Sequence, residues 1–155
     1  MRVGQGFDAH AFAEGRPLML GGVEVPHARG LAGHSDGDAL LHALIDALLG
    51  AAGLGDIGGM FPPSDERWRG AASLDLLAAV LRRVRAAGFR VVNVDATVVA
   101  EAPRLAAHVD TMRARIASAL EVEVGAVSVK PKTSDGLGFT GRGEGIAAFA
   151  AVLLE

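Results

Sequence analysis

Asp8 and His10 stand two positions apart in the stretch GQGFDAHAF, near the front of the chain. On a strand, side chains at i and i+2 project from one face, which is what two ligands of one metal require. His42 lies in GHSDGDALLHALIDALLG, a segment with helical spacing, one turn from Asp38 and one turn from Asp46. An Asp-x-His pair with a distant helical histidine makes a set of three N/O donors. Catalytic zinc uses three protein ligands and keeps the fourth position for water or substrate. Asp38 or Asp46 would then orient the His42 ring by accepting from its second nitrogen. The plainer alternative is a polar pair on a wet strand face, an ordinary partly buried histidine and solvated aspartates.

Other residue types point to phosphate. His34 and Ser35 precede the helical segment, where backbone N–H groups and the positive dipole end gather; a simple N-cap fits the same residues. The chain holds only two lysines against thirteen arginines, and both fall in KPKTSD, as Lys130 and Lys132. With Thr133, Ser134, Asp135 and Arg142 they offer cations, hydroxyls and a carboxylate suited to a diphosphate and its divalent cation. A solvated edge strand with turn residues is the competing reading. GLGFTG at 136–141 matches G-x-G-x-x-G but is not a dinucleotide fingerprint, since too little chain follows for the helix, return strand and acidic residue that site needs. The long loop GDIGGMFPPSDERW carries Asp56 and Asp65 without an EF-hand pattern, and long irregular loops are often functional.

These side chains need a scaffold. Residues 1–10 and 17–25 read as strands around a turn at 14–17. Ser35 or Asp36 caps a helix bearing Leu40, Leu41, Leu44, Ala47 and Leu48, ended by Gly50 and Gly53. After the 55–70 loop, a helix over 73–87 carries Leu74, Leu77, Val80, Leu81 and Val84 on one stripe. Residues 89–99 alternate as a strand. Pro103 starts a third helix with Leu105, Val109, Met112, Ile116 and Leu120. A strand at 127–132 and a glycine loop at 136–145 follow, and the apolar run 146–154 fits either a buried strand or a short helix. The order β-β-α-α-β-α-β-β predicts an α+β fold, a mixed β-sheet with helices packed on one face.

The 155 residues suit a single domain, half of them apolar, with net charge −3 and no basic tail. That balance argues against nucleic acid and anionic membranes as partners. No cysteine is present, so any metal must use His, Asp or Glu. No signal peptide opens the chain and no apolar run spans a membrane, which makes the cytoplasm the expected compartment.

Taken together, FDAH, HSDGDALLHALIDALLGAAGLGDIGGMFPPSD, NVDATVVAEAPRL and GLGFTGRGEGIA resemble the 2-C-methyl-D-erythritol 2,4-cyclodiphosphate synthase family, in order and over nearly the whole chain. The resemblance implies the enzyme that cyclises 4-diphosphocytidyl-2-C-methyl-D-erythritol 2-phosphate and releases CMP in non-mevalonate isoprenoid biosynthesis. It implies Zn2+ on Asp8, His10 and His42, and Mg2+ or Mn2+ at the diphosphate, near Asp135. His34 and Ser35 would contact phosphate, with His34 and Thr133 stabilising the transition state. Asp56, Ile57, Gly58, Phe61, Pro62, Pro63, Ser64 and Asp65 would hold the methylerythritol portion. Ala100, Glu101, Ala102, Pro103, Arg104, Leu105 and Ala106 would form the cytosine pocket. Lys132, Thr133, Ser134 and Asp135 would grip the cytidine diphosphate, and Phe139 and Arg142 complete the set. The family is a homotrimer with sites between subunits. Departures cluster where it usually has threonines at 132 and 134 and glutamate at 135; here they are Lys132, Ser134 and Asp135, and Asp135 is one methylene shorter. A zinc-dependent nucleoside diphosphate hydrolase and a non-catalytic isoprenoid diphosphate binder are the rival classes.

Overall fold

The computed structural model describes residues 1–155. The first strand, β1 (Arg2–Ala13), follows the pleat: Gly4 and Gly6 are buried while Val3, Gln5 and Phe7 are exposed. The stretch 17–25, expected as one strand, is a hairpin of β2 (Leu18–Leu20) and β3 (Val23–Val25). Gly21 and Gly22 both have positive φ, 59° and 74°, the backbone that a two-residue hairpin turn demands. A short β4 (Gly30–Leu31) pairs with the end of β1.

Helix α1 (Ala39–Ala52) is capped by Asp38, not by Ser35 or Asp36. One Asp38 oxygen accepts from Leu41 N at 3.0 Å and from Gly21 N at 2.9 Å, and the other from Gly22 N at 2.7 Å. The cap therefore ties the hairpin turn to the helix start. The 55–70 segment contains α2 (Ile57–Met60), capped by Asp56, and a 3-10 turn at Glu66–Trp68 capped by Asp65. Next come α3 (Ser73–Ala86) and β5 (Val91–Val99). The helix expected to begin at Pro103 begins later, as a 3-10 turn at Ala106–His108 and then α4 (Val109–Leu120). Pro103 instead follows a cis peptide in the preceding turn. After β6 (Val127–Lys132), the expected glycine loop includes a one-turn helix, α5 (Gly138–Gly141). The apolar tail resolves as β7 (Gly145–Leu154).

Strand order is β4-β1-β7-β5-β6. Because β7 pairs on both sides, antiparallel to β1 and to β5, it is a central strand, with Ala148, Ala150 and Val152 buried on the helix side and Phe149 and Ala151 exposed on the other. β5 and β6 are parallel, so the sheet is mixed. α1 lies on β1 and β7, α3 packs on α1, and α4 covers β6, all within one hydrophobic core. The opposite sheet face carries exposed Val3, Phe7 and Phe149.

Candidate active site

The metal reading depends on whether β1 and α1 bring their donors together, and two glycines make this possible. A Cβ on Gly6 would stand 2.0 Å from Ala43 O, and one on Gly4 would stand 1.9 Å from Ala47 O. Without side chains there, α1 settles directly on β1, and His42 reaches the strand two residues beyond Gly6 and four beyond it. Asp8 Oδ2 lies 2.7 Å from His10 Nε2 and 3.0 Å from His42 Nδ1. His10 Nε2 and His42 Nδ1 are themselves 3.0 Å apart. One carboxylate oxygen and two imidazole nitrogens thus converge on one point, a donor set that suits zinc. Burial by itself would raise the Asp8 pKa, but hydrogen bonds with His10 and His42 outweigh it and hold the carboxyl well below the usual range. Burial would lower His10; the hydrogen bond and charge of Asp8 outweigh it and raise His10 above 6.5.

Neither Asp38 nor Asp46 orients His42. Asp38 is consumed by the cap and turn, and Asp46 accepts from Ile57 N at 2.8 Å. The far nitrogen, His42 Nε2, meets two hydroxyls instead, Ser35 Oγ and Ser73 Oγ, each at 3.0 Å. Ser73 was not among the expected site residues. It sits at the first turn of α3, 31 positions from His42, and no local spacing links the two.

A cavity of about 220 Å³ opens over the three donors, lined also by His34, Ser35, Ile57, Gly58, Phe61, Pro63, Trp68 and Leu76. Nine of the expected residues therefore share one pocket. His34 and Ser35 are not at the helix N-terminus, since α1 starts after Asp38, whose side chain accepts from Leu41 N. Their strand-to-helix loop is clamped by Arg16, which donates to Gly33 O at 2.7 Å and to Ser35 O. Asp56 and Asp65 serve as caps in this structure: Asp56 accepts from Gly59 N at 2.7 Å, and Asp65 pairs with Arg67 at 2.6 Å. Pro62 is half-buried beside the pocket and Ser64 is exposed.

A second cavity of about 200 Å³ is lined by Ala100, Glu101, Pro103, Arg104, Leu105, Ala106, Pro131, Lys132 and Thr133. It shares no lining residue with the first. Both lie at the same end of the sheet, because β1 and β5 run in one direction on either side of β7, where Ala147 pairs with Ala9 and with Val99. The loop after β6 is shaped by its own side chains. Glu101 Oε1 accepts from Ser134 N at 3.0 Å and Gly136 N at 3.3 Å, and Ser134 Oγ lies 2.7 Å from Thr140 Oγ1. Ser134 is thereby turned inward, and Thr133 Oγ1 donates to Asp135 at 3.0 Å. Phe139 is exposed, and Arg142 pairs with Glu144 at 2.7 Å.

The model of the YgbB family matches residues 1–155. The chain belongs to the YgbB family. A relative from Marinobacter nauticus named 2-C-methyl-D-erythritol 2,4-cyclodiphosphate synthase is 59% identical over 155 residues, covering 100% of this chain and 98% of that protein. A solved 2C-methyl-D-erythritol-2,4-cyclodiphosphate synthase in a CDP-bound form superposes with a TM-score of 0.91 at 39% identity, covering 99% of this chain and all (100%) of that one. The bifunctional IspDF of Campylobacter jejuni gives a TM-score of 0.95 at 44% identity, covering 99% of this chain and 42% of that longer protein. This member of the YgbB family carries Asp8, His10 and His42 within a single cavity.

Proposed function

We propose that this protein cyclises 4-diphosphocytidyl-2-C-methyl-D-erythritol 2-phosphate to 2-C-methyl-D-erythritol 2,4-cyclodiphosphate with release of CMP, a phosphorus–oxygen lyase of isoprenoid biosynthesis in the cytoplasm. The observation that carries the reading is the convergence of Asp8, His10 and His42 in a chain of this family. An oxygen of the 2-phosphate attacks the β-phosphorus; the bond from that phosphorus to the bridging oxygen breaks, and CMP leaves with the electron pair. Such a reaction asks for positioning and charge neutralisation more than covalent chemistry. Zn2+ at Asp8, His10 and His42, with Mg2+ or Mn2+ near Asp135, would neutralise oxygens of the reacting phosphates, which a chain of net charge −3 needs. His34 and Thr133 would stabilise the transition state.

His34 and Thr133 line different cavities in one chain. A homotrimer that sets the second cavity of one subunit against the first of its neighbour would unite them, and the uncovered sheet face supplies apolar surface for assembly. The cytidine end of the substrate then occupies the cavity around residues 100–106, and its methylerythritol end the cavity around Ile57, Gly58 and Phe61. Phosphorus NMR of the product tests the reaction. A cyclic diphosphate with CMP is expected; linear phosphates would make the protein a zinc hydrolase, and absence of turnover would make it a binder.

A further inference from the structure

His42 meets the other two donors with Nδ1, so its ring can serve a metal only if Nδ1 is free of a proton and Nε2 carries one. Something must therefore accept from Nε2, and the two serine hydroxyls there are not equivalent. Ser35 Oγ has only a long contact from Gly37 N, at 3.5 Å. Ser73 Oγ is fully buried, donates its proton to Asp36 Oδ1, and keeps its lone pairs for His42. Asp36 is held in turn: its second oxygen accepts from Ser73 N at 2.8 Å, and Oδ1 accepts from Asp38 N at 3.1 Å. The hydroxyl direction is thus set by a carboxylate locked to the backbone on either side.

We propose that Asp36 and Ser73 form a relay, Asp36 carboxylate to Ser73 hydroxyl to His42 Nε2–H, that holds the His42 ring in the tautomer and orientation its metal role requires. Both are positioning residues, and the proposal rests on the reading of Asp8, His10 and His42 as a zinc site. Outer partners of this kind typically contribute about 10–100-fold in metal affinity. They act in series, so breaking either link should lose the same effect.

The test is zinc affinity, measured by chelator competition on wild type, Ser73→Ala, Asp36→Asn and the double variant. The wild type should bind one zinc per chain. Each single variant should weaken binding by about 10–100-fold, and the double should be no weaker than Ser73→Ala. Circular dichroism and unfolding of the metal-free forms identify any variant that fails to fold; if Ser73→Ala fails, Asp36→Asn alone still reads the relay. In the zinc-loaded protein, the downfield His42 Nε2–H proton signal should shift upfield on breaking either link, which a general packing defect elsewhere would not produce. Unchanged affinity and an unmoved proton signal in both variants, or additive losses in the double, would overturn the relay with zinc binding intact. Failure of the wild type to bind zinc would overturn the metal reading and the relay with it.

Discussion

At the residue scale, the donors are few and unreplaced: Asp8, His10 and His42 are the only His/Asp/Glu cluster with metal-ligand spacing. His42→Ala should therefore abolish zinc binding and turnover while the fold survives, since its ring lies at the cavity wall and not in the middle of the core. Metal analysis of the purified variant checks this, and full zinc occupancy would contradict it. Proton competition gives a second expectation. His10 is raised above 6.5 and must be neutral to bind metal, so zinc affinity should fall as pH is lowered through that raised value. Without metal the sign reverses for stability. The His10 contribution is complete below 6.5 and is lost as pH rises through the raised folded value; the Asp8 contribution is complete above 3.8 and is lost as pH falls through the depressed one. Denaturant midpoints in chelator should show this pair stabilising the fold most between 3.8 and 6.5. A pair whose effect grew towards alkaline pH would refute the assignment.

At the element scale, the critical contact is the seat of α1 on β1. Gly6→Ala would press a methyl against Ala43 O, where the obstacle is helix backbone rather than a yielding side chain. Overpacking of this kind costs about 1–3 kcal/mol. Because β1 carries Asp8 and His10 while α1 carries His42, the same displacement should part the donors. The expected result is a lowered denaturant midpoint together with weakened zinc binding. Gly50→Ala, on the same helix with nothing within 4 Å of its added Cβ, should leave zinc binding unchanged. Equal zinc affinity in the Gly6→Ala and wild-type proteins would show that the site does not depend on this close approach.

At the scale of the whole molecule, one sheet face is left without helices. Phe7 and Phe149 pack there at a tilt of 49° with ring centroids 4.9 Å apart, and both remain 44–48% exposed. Val3 is 76% exposed on the same strand face. If this face is where three copies meet, Phe149→Glu should shift sedimentation from trimer to monomer. Turnover should fall sharply, because the two cavities would no longer be joined, while zinc affinity stays within a few-fold, since Asp8, His10 and His42 belong to one chain. A fully active monomer would remove the case for shared sites.

Much of the site is legible before folding because its signals are local. The i, i+2 spacing of Asp8 and His10 survives any packing of β1, and the stripe through Leu40, Leu44 and Leu48 announces the helix that carries His42. The mixed sheet with helices on one face follows from the same periodicities. What the local pattern misses is chosen by distant neighbours. Two glycines in a row split the expected strand 17–25 into a hairpin, and that turn recruits Asp38 as cap in preference to Ser35 or Asp36. The run 146–154 becomes a strand because two others flank it, a fact about pairing and not about its residues. Ser73 reaches His42 only because α3 packs against α1. Sequence alone determined which side chains could bind a metal, since chemistry resides in residue type and short spacing; tertiary structure alone decided which partners orient them, since hydrogen bonds act across about 3 Å of space however many residues lie between.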